Sequence, residues 1–103
     1  MIVLVITLPI RPDKREELLA GVPELVAAAN QAEGVNLYLP ATTVADPNTG
    51  VIVAEYESEE ARNSLVENNE VVKQALASLP DFLAGEPEFR IYEVSNLTVR
   101  SEA

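Results

Sequence analysis

The stretch IVLVITLPI, residues 2–10, decides the fold of this chain. It is apolar at nearly every position, and a β-strand points alternate side chains to opposite sides of its sheet. Both sides of this strand therefore present apolar groups that must be covered. The two helical regions of a 103-residue chain can cover one side. The sequence predicts that a second copy of the chain covers the other, which makes a homodimer.

A helix is predicted to follow this strand. Proline gives no amide donor to a sheet, so the strand ends before Pro12. Asp13 is placed to cap a helix over residues 14–32, with Glu16 as its capping-box partner. The apolar stripe of this helix continues in phase across Pro23, which favours one kinked helix over two separate helices.

The rest of the chain reads as alternating strands and short helices. Gly34 is suited to a left-handed turn after the first helix. Ser58 and Asn69 are predicted to cap two further helices. The predicted strands cover residues 35–44, 51–57 and 88–94, the helices begin at Glu59 and Glu70, and residues 46–50 form a turn.

The order strand, helix, strand, strand, helix, strand predicts an α+β fold. It is the ferredoxin-like split βαβ plan, with a four-stranded antiparallel sheet and helices on one face. We expect one domain over residues 1–103, with its core at 2–94 and an extension at 95–103. Two bare sheet faces laid together would close a β-barrel between subunits. In the extension, Leu97 to Arg100 either pairs with a partner chain or frays from the last strand.

Composition excludes several classes of function. The chain has no cysteine and no histidine, so disulfides, thiolate chemistry and most metal sites are not expected. Its 17 acidic and 7 basic residues give a net charge of −10, which disfavours nucleic acid and anionic lipid as partners. The first apolar run is too short to span a bilayer and lacks the basic region of a signal peptide. We therefore expect a cytoplasmic location.

Four segments in this order resemble one known family. They read RPDKREELL, EGVNLYLP, DPNTGVIVAEYES and VVKQALASLPDFLAGEPEFRIYE. They are similar to the antibiotic biosynthesis monooxygenase family of dimeric α/β barrels. The resemblance covers residues 3–92. It implies an oxidoreductase that works without a cofactor on a small, quinol-like aromatic substrate, although members of this family differ in their chemistry.

The chain also departs from that family. Many oxygenase members have a tryptophan on the third strand, where this chain has Tyr56. Haem-degrading members need a histidine in the second helical region and an asparagine on the first strand, where this chain has Thr7. The resemblance therefore argues against haem degradation.

Six polar residues are candidates for a site between the sheet and its helices. In a cofactor-free oxygenation, Asn36 and Arg90 would stabilise an oxyanion, and Tyr38 or Tyr56 would orient a substrate hydroxyl. Among these, Asn36, Arg90 and Tyr56 are the candidate catalytic residues, and the candidate substrate-binding residues are Tyr38, Tyr92 and Glu55.

Each candidate also has a purely structural interpretation. Strand tyrosines are often half-buried packing residues. Asn36 suits a turn at a strand start. Arg90 would then pair with an acid on a neighbouring strand, such as Glu55 or Glu57. Glu55 is either a desolvated base or an exposed strand residue.

Three hypotheses about function follow. The chain is a cofactor-independent oxygenase, a module that binds a small apolar ligand without transforming it, or a structural dimer domain with a filled pocket. A cavity of about 300 Å³ or more beside Tyr56 would favour the first two. A pocket filled by leucine and phenylalanine side chains would favour the third.

Overall fold

The computed structural model describes residues 1–94 of the chain. The structure has the predicted order of strands and helices. Four strands run β1 (Ile2–Pro9), β2 (Val35–Thr42), β3 (Thr49–Tyr56) and β4 (Glu88–Glu93). Three helices run α1 (Arg15–Gln31), α2 (Glu59–Asn68) and α3 (Glu70–Ser78), and 3₁₀ turns lie at Pro12–Lys14 and Leu79–Phe82.

The strands form one antiparallel sheet in the order β2-β3-β1-β4. This is the predicted ferredoxin-like plan, with β1 in the centre and β2 and β4 at the edges. The edge position of β2 agrees with Pro40, which would leave a ladder bond unmade in a central strand. The segment from Leu97 to Arg100 lies outside the described residues.

The core lies between the sheet and its helices. Alternate residues of β1 are buried on that side, and residues from α1, α2 and α3 pack against them. The buried set consists of Ile2, Leu4, Ile6, Leu8, Ile10, Ala29, Tyr38, Ile52, Ala54, Tyr56, Leu65 and Val72. The other residues of β1 lie on the opposite face of the sheet, which no described element covers, and which we call the open face.

The open face is apolar along its middle rows. One row joins Leu39, Val53, Val5 and Arg90, and the next joins Leu37, Glu55, Val3 and Tyr92. Directly opposed residues of an antiparallel pair share a face. Leu39 keeps 52% of its surface exposed there. The valines of β1 and the leucines of β2 therefore lie on the same open face.

Helix ends match the prediction at two of three places. The Ser58 hydroxyl accepts a hydrogen bond from the amide of Ala61 at 3.1 Å, and Asn69 Oδ1 accepts one from the amide of Val72 at 3.1 Å. The predicted cap at Asp13 is wrong. Residues 12–14 form a 3₁₀ turn, and α1 begins after it without a side-chain cap. The Asp13 carboxylate accepts instead from Arg11 at 3.2 Å.

Helix α1 continues through Pro23 as one helix, as predicted. The turn after it places Gly34 at φ +82°, in the left-handed region where glycine is favoured. The following strand is irregular at its start. Val35 pairs with Tyr56 and Leu37 pairs with Glu55, so Asn36 is an extra residue in a β-bulge.

Candidate functional site

An apolar cleft of about 820 Å³ opens between α1, α3 and the sheet. This volume lies within the range of about 300–1,000 Å³ of small-molecule sites. The hypothesis of a structural dimer domain required a pocket filled by side chains, and this pocket is open. Its walls and floor include Leu18, Val22 and Leu25 of α1, Val71 and Ala75 of α3, Leu79 of the 3₁₀ turn after α3, and Leu8, Tyr38 and Ile52 of the sheet.

Small residues leave this space open. Gly21 lies in the wall that α1 provides, and a β-carbon built there meets no atom within 4 Å. Ala75 lies in the wall that α3 provides. Larger side chains at these two positions would fill part of the gap between the helices. Gly21 was visible in the sequence as a glycine inside a helical pattern, which often has a packing or functional reason.

Tyr38 is a polar group in the mainly apolar floor of the cleft, which also includes Thr42. The side chain of Tyr38 is 6% exposed and lines the cleft. Burial, and to a smaller extent the neighbouring Tyr56, raises the pKa of Tyr38 to about 12. The phenol therefore stays protonated at neutral pH and can donate a hydrogen bond. Among the described residues, no hydrogen bond to another protein group contributes to that pKa.

Tyr56 lies close to Tyr38 but does not line the cleft. Tyr56 is 2% exposed. Burial raises its pKa, and the positive charge of Arg62 lowers it by a smaller amount. Arg62 comes from α2, and its Nε is buried without a hydrogen-bond partner in the part of the chain described. Arg62 was not predicted from the sequence, because nothing in the pattern around it distinguishes it from a surface arginine.

Tyr92, Asn36, Glu55 and Arg90 lie on the open face, on the other side of the sheet from the cleft. Asn36 Nδ2 donates to Glu55 Oε2 at 3.1 Å. Arg90 donates to Glu88 Oε2 at 3.3 Å, and hydrogen bonds to Tyr92 and to Glu88 raise the pKa of Arg90.

The structure does not bring the six predicted residues together. Of these six residues, only Tyr38 lines the cleft in the part of the chain that the structure describes. Strict alternation along the predicted strand would place Asn36 and Tyr38 on one face, as a shared site between the sheet and its helices requires. That expectation is wrong, because the bulge at Asn36 shifts the alternation by one residue. The predicted pairing of Arg90 with Glu55 or Glu57 is also wrong, because β1 lies between the strands of Arg90 and Glu55.

The cleft lining contains three acids and, among residues 1–94, no lysine or arginine. The acids are Glu17 and Glu24 of α1 and Glu70 at the start of α3, and all three are exposed. Lys14 Nζ lies 3.7 Å from Glu17 Oε1.

The residues described contain no cluster of three metal-ligating side chains. Their helices include none that is long and apolar enough to cross a membrane.

Comparison with solved structures shows the same fold in other proteins. A Deinococcus radiodurans protein, proposed to be an antibiotic biosynthesis monooxygenase, superposes with a TM-score of 0.86 at 19% identity, over 99% of this chain and 100% of that one. A conserved protein from Methanosarcina mazei gives 0.86 at 20% identity, over 91% and 92%. A Caulobacter crescentus protein, again proposed to be such a monooxygenase, gives 0.84 at 21% identity, over 92% and 90%.

At these identities the structural matches establish the fold and no shared chemistry. No curated protein sequence matches the chain significantly. The family model for antibiotic biosynthesis monooxygenase matches residues 1–77, which include β1 to β3 and all but one residue of the helices. This match covers well over half of the sequence and includes Tyr38 and most of the cleft walls. The chain belongs to the antibiotic biosynthesis monooxygenase family.

Proposed function

We propose that the cleft binds a small, mainly apolar aromatic molecule and that the chain is a cofactor-independent monooxygenase acting on a quinol-like substrate. The observation that carries this proposal is the buried Tyr38 phenol in the floor of an open apolar cleft. An apolar cavity with a few convergent polar groups is the usual form of a small-molecule site. Membership of the family supports the choice of reaction.

The reaction class needs little from the protein. An activated methylene or phenolic substrate loses a proton, and its carbanion reduces oxygen, so that R₂CH₂ + O₂ gives R₂C=O + H₂O. The substrate supplies the electrons. The protein holds the aromatic body away from water and stabilises the oxyanion that forms with the carbanion. Tyr38 is suited to that role, because its raised pKa keeps it a hydrogen-bond donor.

A binding module without catalysis is the second candidate. The observation that favours it is the lack of a suitable base. The chain has no histidine, and the phenol of Tyr38, with its pKa raised to about 12, already holds its proton at neutral pH and cannot take up another. In this alternative the same cleft holds the same class of molecule, and no oxygen is consumed.

Filling the cleft tests both candidates. Gly21→Leu places an isobutyl group where a β-carbon has open space, so we expect it to abolish binding of an aromatic probe such as anthrone without loss of folding. Gly21→Ala is the matched control and should keep binding. If Gly21→Leu binds the probe as well as wild type, the cleft is not the site.

Oxygen consumption separates the enzyme from the binding module. Wild type should consume one O₂ per anthrone in an oxygen electrode, and Tyr38→Phe should lower the rate about 10²-fold, as the loss of one oxyanion donor does elsewhere. Tyr56→Phe should have a smaller effect, since Tyr56 does not line the cleft. Binding without oxygen uptake by wild type would favour the binding module.

We also propose that the open face is the interface of a homodimer. Its two middle rows are mainly apolar, with Leu37, Leu39 and Tyr92 all exposed in the single chain. A face of this kind is more apolar than a soluble monomer usually presents. Asn36, Glu55 and Arg90 then contact the second copy. Sedimentation at micromolar concentration should give about twice the chain mass of 11.2 kDa.

A further inference from the structure

We propose that the ligand of the cleft has a hydrogen-bond acceptor at its buried end and a neutral or cationic group at its outer end, and that the cleft rejects anions. This inference rests on the proposed function, because it specifies which aromatic molecules the same cleft accepts. It follows from two features at opposite ends of the cleft, which are the phenol in the floor and the acids at the rim.

The buried end needs an acceptor. Tyr38 is 6% exposed and lines the cleft. Among the described residues, no hydrogen bond from another protein group contributes to its pKa. Leu8 and Ile52 line the same floor with apolar side chains. A ligand that fills the cleft would exclude water from the phenol, and a hydroxyl cut off from water without a partner costs free energy. A ligand carbonyl or ether oxygen placed there would remove this cost, whereas a purely hydrocarbon ligand would seal the phenol in without a partner.

The outer end favours positive charge. Glu24 and Glu70 lie on opposite walls, one on α1 and the other on α3. Neither makes a salt bridge among residues 1–94, whereas Glu17 has Lys14 within 3.7 Å. No lysine or arginine of the described chain lines the cleft to offset them. The net charge of −10 adds to the same sign of potential.

The size of the preference can be estimated from these two charges. For a ligand charge about 7 Å from each carboxylate in water at about 0.1 M salt, an ammonium and a carboxylate should differ about five- to tenfold in Kd. The estimate also predicts its own salt dependence. At 1 M salt the screening length falls to about 3 Å, so the difference should shrink to less than about twofold.

Three matched probes test the inference. They are 2-acetylnaphthalenes that carry aminomethyl, hydroxymethyl or carboxylate at position 6, so that the acceptor and the ring are constant and only the charge changes. Calorimetric titration of wild type should give the lowest Kd for the ammonium, then the alcohol, then the carboxylate. Removing the acetyl group should weaken binding to wild type and not to Tyr38→Phe.

A double variant locates the charge effect. E24Q/E70Q should bring the Kd values of the ammonium and the carboxylate within about twofold. E33Q/E67Q removes the same net charge from exposed positions that do not line the cleft, so it should keep the full preference. Urea unfolding of both variants checks that the comparison is made on folded protein.

The possible results of these titrations separate this inference from the proposed function. Equal affinity for the three probes, or a preference for the carboxylate, overturns the inference and leaves the proposed function standing. Equal loss of preference in both double variants also overturns it, because the rim would then not be the cause. If neither anthrone nor any of the three probes binds, the proposed function fails and this inference fails with it.

Discussion

Gly34→Ala should destabilise the fold strongly, because two separate effects act at this residue. Gly34 has φ +82°, and an L-residue in the left-handed region costs about 1–2 kcal/mol. A β-carbon built on Gly34 lies 2.6 Å from Ala61 Cβ, far inside the optimal carbon–carbon distance of about 3.5–4.0 Å. The Gly34 carbonyl accepts from the amide of Glu57 at 2.9 Å, which limits how far the turn can move.

The two effects should add to a loss of about 2–3 kcal/mol in the free energy of unfolding, after a gain of about 0.4–1 kcal/mol from the stiffer unfolded chain. Urea unfolding at constant protein concentration measures this loss as a midpoint lowered by about 1 M or more. Gly21→Ala is the control. It lies inside a helix with open space around it, so the midpoint should rise or stay unchanged.

A double-mutant cycle separates the clash from the backbone term. Ala61→Gly alone should cost about 1 kcal/mol, since glycine disfavours a helix. In the Gly34→Ala background it should cost less, or stabilise, because it removes the atom that the new methyl group meets. A Gly34→Ala midpoint within error of wild type would show that α2 adjusts freely to the turn, and the reasoning would fail.

Three further results are expected. Asn69→Ala should lower the free energy of unfolding by about 1 kcal/mol, because it removes the cap on the Val72 amide. Asn68→Ala is the control and should lower it by less, as measured by urea unfolding of both variants. Between pH 10 and 12 the folded phenol of Tyr38 keeps its proton while the unfolded one loses it, so Tyr38 should lower the free energy of unfolding by about 1 kcal/mol by pH 11. Tyr38→Phe should remove this share of the alkaline loss, whereas Tyr92→Phe should not. Leu39→Glu, on the open face, should shift sedimentation toward the monomer, whereas Leu19→Glu on α1 should not.

The element order was predictable because its signals are local. The apolar run at residues 2–10, the turn residues at 46–50 and the caps at Ser58 and Asn69 each act within a few residues of chain. The same kind of signal failed at Asp13. Its carboxylate had a competing local partner in Arg11, and the proline before it began a 3₁₀ turn instead of the helix.

The cleft could not be predicted from the sequence in the same way. Its volume depends on how α1 and α3 are spaced above the sheet, and this spacing is set by contacts between residues far apart in the chain. Glu24 and Glu70 look like ordinary exposed helix acids until the two helices place them at one opening. Tyr38 was among the predicted site residues, although Tyr56 was the tyrosine predicted to be catalytic.

The bulge at Asn36 explains why the predicted site residues divided between two surfaces. Val35 and Tyr38 are three positions apart, so a regular strand would point them to opposite faces. With one extra residue between them, Val35 and Tyr38 both face the helices, while Asn36 reaches Glu55 on the open face. The phenol beneath the cleft and the polar pair on the open face therefore depend on the same irregularity, and a strand that kept strict alternation could not supply both.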